Sequence, residues 1–131
     1  MKLVLANGVF DLLHPGHVRH LEEARRLGDY LVVGVTIDAF VGKIGRPIQT
    51  IEERMEMLRA LRCVSAVSMC KDSIEALEQW KPQIFVKGHE YRKKGLKAVE
   101  IGYCAANGIQ VEFTKESGLS TSKLIERIRC A

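Results

Sequence analysis

Residues 30–36 read Tyr-Leu-Val-Val-Gly-Val-Thr, an apolar, β-branched run with no polar alternation. A strand of that composition must be covered on both faces, as an interior strand of a parallel sheet is. The segments around it repeat a strand-then-helix theme. Lys2–Ala6 predicts a first strand, ending at the Asn7-Gly8 turn signal. Over residues 15–28, Val18, Leu21, Ala24 and Leu27 recur among charged residues, predicting an amphipathic helix that Pro15 starts and Gly28 closes. Thr50 and Glu53 form a capping box for a helix carrying Met55, Leu58 and Leu61. Val64–Met69, Gln83–Lys87 and Ile109–Phe113 predict further strands. Ser73–Gln79 and Leu96–Ala106 predict helices, and Ser120 caps a last helix with Leu119 and Leu124 placed as a hydrophobic staple. This βαβαβαβαβα order predicts an α/β, Rossmann-like three-layer sandwich with a mainly parallel five-stranded sheet. Its crossovers are right-handed and its ligands lie beyond the carboxyl ends of the strands. The loops at 38–50 and 87–95 both follow strands and rim that crevice.

The chain has 131 residues, which predicts a single domain over 1–131. With 47% apolar and 27% charged residues it is not a disordered, collagenous or disulfide-dense sequence. No apolar run approaches the roughly 20 residues that cross a bilayer. The N-terminal apolar stretch is too short for a secretory signal. Net charge is +4, and the densest basic cluster, Arg92-Lys93-Lys94, reads as a solvated loop. An anionic small molecule therefore suits the chain better than nucleic acid or a membrane. Cys63, Cys70, Cys104 and Cys130 lack C-x-x-C and zinc spacing, so they read as free thiols of a cytoplasmic protein.

The first strand-to-helix junction runs Asn7-Gly8-Val9-Phe10-Asp11-Leu12-Leu13-His14-Pro15-Gly16-His17. It is neither G-x-G-x-x-G nor a P-loop. His14 and His17 are three residues apart at a helix start, hence on one face of the first turn. Gly16 lets the backbone approach a ligand. The unpaired N–H groups and the dipole of a helix N-terminus attract anions. Two imidazoles there can donate hydrogen bonds to a phosphate and strengthen as negative charge builds in a transition state. The plainer reading is a cap and a surface histidine. The buried strand and glycine turn in front of the pair outweigh it. A zinc site lacks a third ligand, since His20 is expected to face away from the helix mouth.

Gly8-Val9-Phe10-Asp11 followed by His14-Pro15-Gly16-His17 resembles the H-x-G-H motif of the cytidylyltransferase-like nucleotidyltransferases. Gly118-Leu119-Ser120-Thr121-Ser122-Lys123 resembles their second motif. Two further stretches add to the resemblance: Gly45-Arg46-Pro47-Ile48 through Glu53-Arg54-Met55, and Lys81 through Gly88. The resemblance implies transfer of a nucleoside monophosphate from ATP or CTP to a phosphorylated sugar or polyol, with release of pyrophosphate. It implies Mg²⁺ held mainly by the nucleotide's phosphates, no metal ligand from the protein, and a homodimer. By the same resemblance His14, His17 and Lys43 are catalytic. Gly8, Val9, Phe10, Gly16, Lys87, Gly88, Lys115, Ser120, Thr121 and Ser122 bind the nucleotide, with Lys87 and Gly88 in the base pocket. Asp11, Arg46 and Arg54 lie on the acceptor side. Plainer roles compete for several of these. Ser120 is also a helix cap, Asp11 a turn cap, Lys43 a solvated lysine, and Arg54 a helix-face partner of Glu53 or Glu56. Trp80 reads as core.

Two branches of the family fit. In the glycerol-3-phosphate cytidylyltransferase type, Val9 stands where a threonine is usual and Lys115-Glu116-Ser117 where Arg-Thr-Glu is. The heptose-phosphate adenylyltransferase type is closer at Asn7–Asp11, Gly45–Pro47 and Val86–Gly88, and differs at His89 and Glu90. The resemblance favours the second, a sugar-phosphate adenylyltransferase. A non-catalytic nucleotide-binding domain remains a third reading, opposed by the retention of both histidines, Lys43 and residues 120–122. Pantetheine-phosphate and nicotinamide-mononucleotide adenylyltransferases rank below these.

Overall fold

Five parallel strands form one sheet in the order β3-β2-β1-β4-β5. They are β1 (Leu3–Gly8), β2 (Tyr30–Thr36), β3 (Ala66–Cys70), β4 (Ile84–Lys87) and β5 (Gln110–Phe113). The structure, a computed structural model, describes residues 1–115 and 120–131. Residues 116–119 lie outside the described residues, and with them Glu116 and Ser117, Gly118 and Leu119 of the second motif, and the expected staple. The helices are α1 (Pro15–Arg26), α2 (Ile51–Arg59), α3 (Ser73–Trp80), α4 (Tyr91–Lys94), α5 (Ala98–Ala106) and α6 (Thr121–Cys130).

Strand alternation divides the interior into two layers. Val4, Ala6, Leu31, Val33, Val35, Ile84 and Val86 pack with Leu21 and Ala24 of α1 and Met55 and Leu58 of α2. Leu5, Val32 and Phe85 pack with Ala76 and Leu77 of α3 and Cys104 of α5. Residues 31–35 are all buried, as the unbroken apolar run requires. Trp80 packs against the second layer and donates its indole N–H to Ser68 Oγ at 2.9 Å. β1 and β4 are neighbours, with Ala6 paired to Val86. The helices that follow these two strands lie on opposite faces, so a crevice opens between their carboxyl ends.

Several boundaries differ from the sequence expectation. Strand β1 runs two residues further, to Gly8. Strand β3 starts at Ala66, because the Val64 amide donates to Leu61 O in a turn. Gly28 is not a left-handed cap. It is needed because an added Cβ would lie 2.7 Å from both Lys2 O and Val4 Cγ2. The loop expected at 87–95 contains α4, and Gly95 at φ +82 separates it from α5. The loop at 38–50 opens with a 3₁₀ turn at Asp38–Phe40.

Candidate active site

The junction after β1 is held in a demanding conformation. Phe10 and Leu12 both sit at φ +51. Side-chain-bearing residues in that region cost of order 1–3 kcal/mol each, and persist where the surroundings over-determine them. Five sequence-distant residues do so here. Arg54 Nη1 donates to Val9 O at 2.9 Å, and the Leu12 amide donates to Gln49 Oε1 at 3.0 Å. Thr121 Oγ1 donates to Asp11 O at 2.8 Å. The Asp11 carboxylate accepts from Arg46 Nε at 2.8 Å and from the amides of Ile48 and Gln49 at 2.8 and 3.0 Å. Gly8 allows the Phe10 ring to fold back, since a Cβ there would meet Phe10 Cε2 at 3.0 Å.

Directly after this loop, His14 caps α1. Its Nδ1 accepts from the Gly16 amide at 3.0 Å, while its own amide donates to His17 Nδ1 at 3.2 Å. The two rings stack with centroids 3.7 Å apart, and Phe10 meets His17 edge-on at 5.5 Å. Because both Nδ1 atoms accept backbone N–H groups, the proton of each neutral ring resides on Nε2. His14 Nε2 has no hydrogen-bond partner; among the described residues it is the one buried side-chain nitrogen or oxygen in that condition. A buried unpaired donor costs about 1–3 kcal/mol, which an acceptor arriving with a ligand would recover.

Burial lowers the pKa of His14. For His17, burial and then the neighbouring His14 and His20 push the value down to about 3. The unfolded chain takes up a proton near the ordinary value of 6.5 and the native His17 ring does not, so this site weakens the fold as pH drops below that value. The expected result in long-range ¹H–¹⁵N spectra is an Nε2–H tautomer for both rings, with His17 neutral down to about pH 5. Titration of His17 near 6.5 would overturn the assignment.

The described part of the C-terminal motif meets the same loop through Thr121. Ser120 caps α6, its Oγ accepting from the Lys123 amide at 3.2 Å, and Thr121 makes the bond to Asp11. Ser122 is exposed. Lys115 is exposed, and its amide donates to the Glu23 carboxylate on α1. Lys43 is exposed at the tip of the 38–50 loop. Arg46 is spent on Asp11, whose carboxylate is 0% exposed. Burial raises the Asp11 pKa, but the Gln49 and Ile48 amides and Arg46 outweigh it and hold the carboxyl below its usual range.

Arg54, expected on the acceptor side, is placed differently. Its side chain is 0% exposed and donates to Val9 O, Thr36 O, Gln49 O and Asp38 Oδ1. It ties the ends of β1 and β2 to the 38–50 loop and presents no donor to the crevice. Across the crevice, Lys87 ends β4 and Gly88 follows it, with the Glu90 carboxylate folded over Gly88.

Other contributors carry little or no sequence signal. Gln49 is an ordinary loop glutamine until it meets Leu12. His20, beyond the mouth, pairs its Nδ1 with Thr114 Oγ1 at 2.7 Å. Glu100 and Cys104 lie one helical turn apart and are both buried, so a carboxylate on an apolar face was the available clue. Among the described residues no three His, Cys, Asp or Glu side chains converge to hold an ion.

The profile that describes the Cytidylyltransferase-like family matches residues 5–127. The chain is 40% identical over 133 residues to "Bifunctional protein HldE" of Pseudomonas aeruginosa (strain LESB58), an alignment covering 98% of this chain and 28% of that protein. It is 41% identical to the protein of the same name from Citrifermentans bemidjiense, covering 97% and 27%. The chain thus spans little more than a quarter of the length of these relatives. Among solved structures, the lipopolysaccharide core biosynthesis protein of Thermoplasma volcanium GSS1 superposes with a TM-score of 0.73 at 31% identity, covering 89% of this chain and 99% of that one. Pantothenate synthetase of Thermus thermophilus superposes at 0.67 with 13% identity over 95% of this chain and 61% of that one, a likeness of fold alone.

Proposed function

This chain belongs to the cytidylyltransferase-like family, and from that premise we propose that it transfers AMP from ATP to a phosphorylated sugar. The reading is carried by the 2.8 Å bond from Thr121 to the Asp11 carbonyl. It sets the start of α6 against the loop in front of the stacked imidazoles, so that two helix N-termini share one mouth. A triphosphate is the ligand whose charge and length suit such a mouth.

In the proposed reaction an acceptor phosphate oxygen attacks the α-phosphorus in line. The new P–O bond forms as the bond to the bridging β-oxygen breaks, and pyrophosphate leaves with that electron pair. A phosphate dianion needs no base to become a nucleophile, which agrees with imidazoles that serve as donors. The Nε2–H groups of His14 and His17 hold the negative charge that builds around the α-phosphate. The hydroxyls and amides of Ser120 and Ser122 hold the β- and γ-phosphates, and Lys43 closes over the α-phosphate from the loop. Gly8, Val9, Phe10 and Gly16 bring backbone close to the nucleotide, Lys115 lies beside it, and Asp11 acts through Arg46 to set the acceptor side. Mg²⁺ on the triphosphate supplies charge neutralisation. A homodimer in the cytoplasm belongs to the same proposal; Met57 of α2 and Met69 of edge strand β3 are both exposed apolar surface for it.

Support for a sugar phosphate comes from the Thermoplasma volcanium relative, a lipopolysaccharide core biosynthesis protein. The test is a matrix of four nucleoside triphosphates against sugar and polyol phosphates, read by pyrophosphate release. ATP with a sugar phosphate is expected to give the fastest release. CTP with glycerol 3-phosphate as the best pair would transfer the assignment to the cytidylyltransferase branch. Nucleotide binding without release from any pair would leave the non-catalytic reading. Chelating Mg²⁺ is expected to abolish release and re-addition to restore it; turnover that survives chelation would refute the metal requirement.

A further inference from the structure

Lys87 stands one residue beyond Val86, the partner of Ala6, at the carboxyl edge of the strand next to the histidine loop. Like Phe85 it points to the face that carries α3 and α5. Its side chain is 10% exposed, with Nζ 3.5 Å from Glu100 Oε2 and 4.2 Å from the centroid of the Tyr91 ring. Glu100 is itself 3% exposed. One of its oxygens accepts the Lys97 amide at 3.1 Å, and the other accepts Ser73 Oγ at 2.6 Å. The carboxylate is thus clamped from the starts of both α3 and α5. The distance to Nζ is long for a charge-assisted hydrogen bond, which runs about 2.7–2.9 Å. An ammonium has three donors, and Lys87 spends none of them on a well-made bond. Burying a loosely paired charge costs several kcal/mol, a cost that packing alone does not justify.

We propose that Glu100, seated by Ser73 and the Lys97 amide, is a positioning residue that directs the Lys87 ammonium toward a phosphate oxygen of a substrate in the crevice between β1 and β4. The inference rests on the nucleotidyltransferase reading and shifts Lys87 from the base pocket to a phosphate. An ammonium is a point charge suited to phosphate oxygens. Burial pulls the Lys87 pKa below its ordinary value, and Lys97 adds to the fall. Glu100 opposes it first, then Glu90. The ring of Tyr91 faces Nζ, and on the α1 side lies His20, whose pKa burial lowers against the opposing pull of Glu90 and Glu23. Removing the Glu100 charge therefore brings the loss of the ammonium closer to neutral pH.

The test uses Glu100→Gln, Ser73→Ala and Lys87→Met. Glu100→Gln is expected to raise KM for one substrate roughly tenfold or more and to move the alkaline limb of its kcat/KM profile toward neutrality. Ser73→Ala shifts both the same way by less. The substrate whose KM rises, nucleotide or acceptor, identifies whose phosphate Lys87 holds. Folded Glu100→Gln and Lys87→Met proteins with both KM values and the alkaline limb unchanged would overturn the proposal. Calorimetry with ATP and with inorganic phosphate at pH 7 and pH 9 reads the site without turnover. Binding that weakens at the higher pH, and at both in Lys87→Met, supports it even where no pair releases pyrophosphate, which would defeat the enzymatic reading alone. Should Glu100→Gln not fold, the other two variants decide.

Discussion

Replacing His14 with Asn is expected to cut turnover by about 10²–10³-fold while leaving the melting temperature nearly unchanged. Asn is among the best N-cap residues, so its side-chain oxygen replaces Nδ1 as acceptor for the first-turn amide. It cannot place a donor where Nε2–H stands, and loss of one such donor typically costs a factor of that size. His17→Ala is expected to lose at least as much. It removes the second Nε2–H, the ring stacked on His14 at 3.7 Å, and the acceptor of the His14 amide. A stability loss of about 0.5–2 kcal/mol accompanies it, from the broken capping box. Pyrophosphate release within threefold of the parent in either variant would remove the imidazoles from the mechanism.

The second large effect is on folding. Arg54→Met is expected to destabilise the chain by about 3–5 kcal/mol, the scale of a broken buried ionic network. The methionine fills part of the space but leaves Val9 O, Thr36 O and Gln49 O without their donor. Against a total stability of about 5–15 kcal/mol for a domain, that is a large share. The melting temperature should fall by roughly 10 °C or more. Activity should fall further than stability, because Val9 lies in the loop that holds Phe10 and Leu12 in their left-handed conformations. Arg54→Lys should recover little, since one ammonium cannot fork to four oxygens. Melting within about 3 °C of the parent, measured by circular dichroism, would refute the role given to Arg54.

Local signals in the sequence were enough for most of the scaffold. The run at 30–36 is the interior strand β2, between β1 and β3, and the Thr50–Glu53 box opens α2 at the expected residue. Both rest on periodicity or capping within a few residues, which tertiary context leaves unchanged. The histidine pair could also be found, because helical spacing fixes which face two residues share. What could not be found depends on partners far along the chain. Arg54 has acidic neighbours at 53 and 56, and a helix-face ion pair was the natural local reading. Its actual acceptors come from the ends of two strands and a loop. Glu100 finds Ser73, 27 positions away. Gly28 answers to the start of β1, which no turn rule anticipates. Helix α4 hides in a basic segment with no apolar face to mark it.

The bonds at Val9, Asp11 and Leu12 come from residues 46, 48, 49, 54 and 121, and the one from 121 joins two distant parts of the chain. Contacts among neighbouring segments cannot produce the bond from residue 121, which requires the last helix to be docked. A fragment lacking the final dozen residues would keep its sheet and its histidines yet lose one clamp on the turn before them. Splitting the chain in the middle should give two inert pieces that recover together on reassociation. The turn before the histidines is complete only when the last helix is in place.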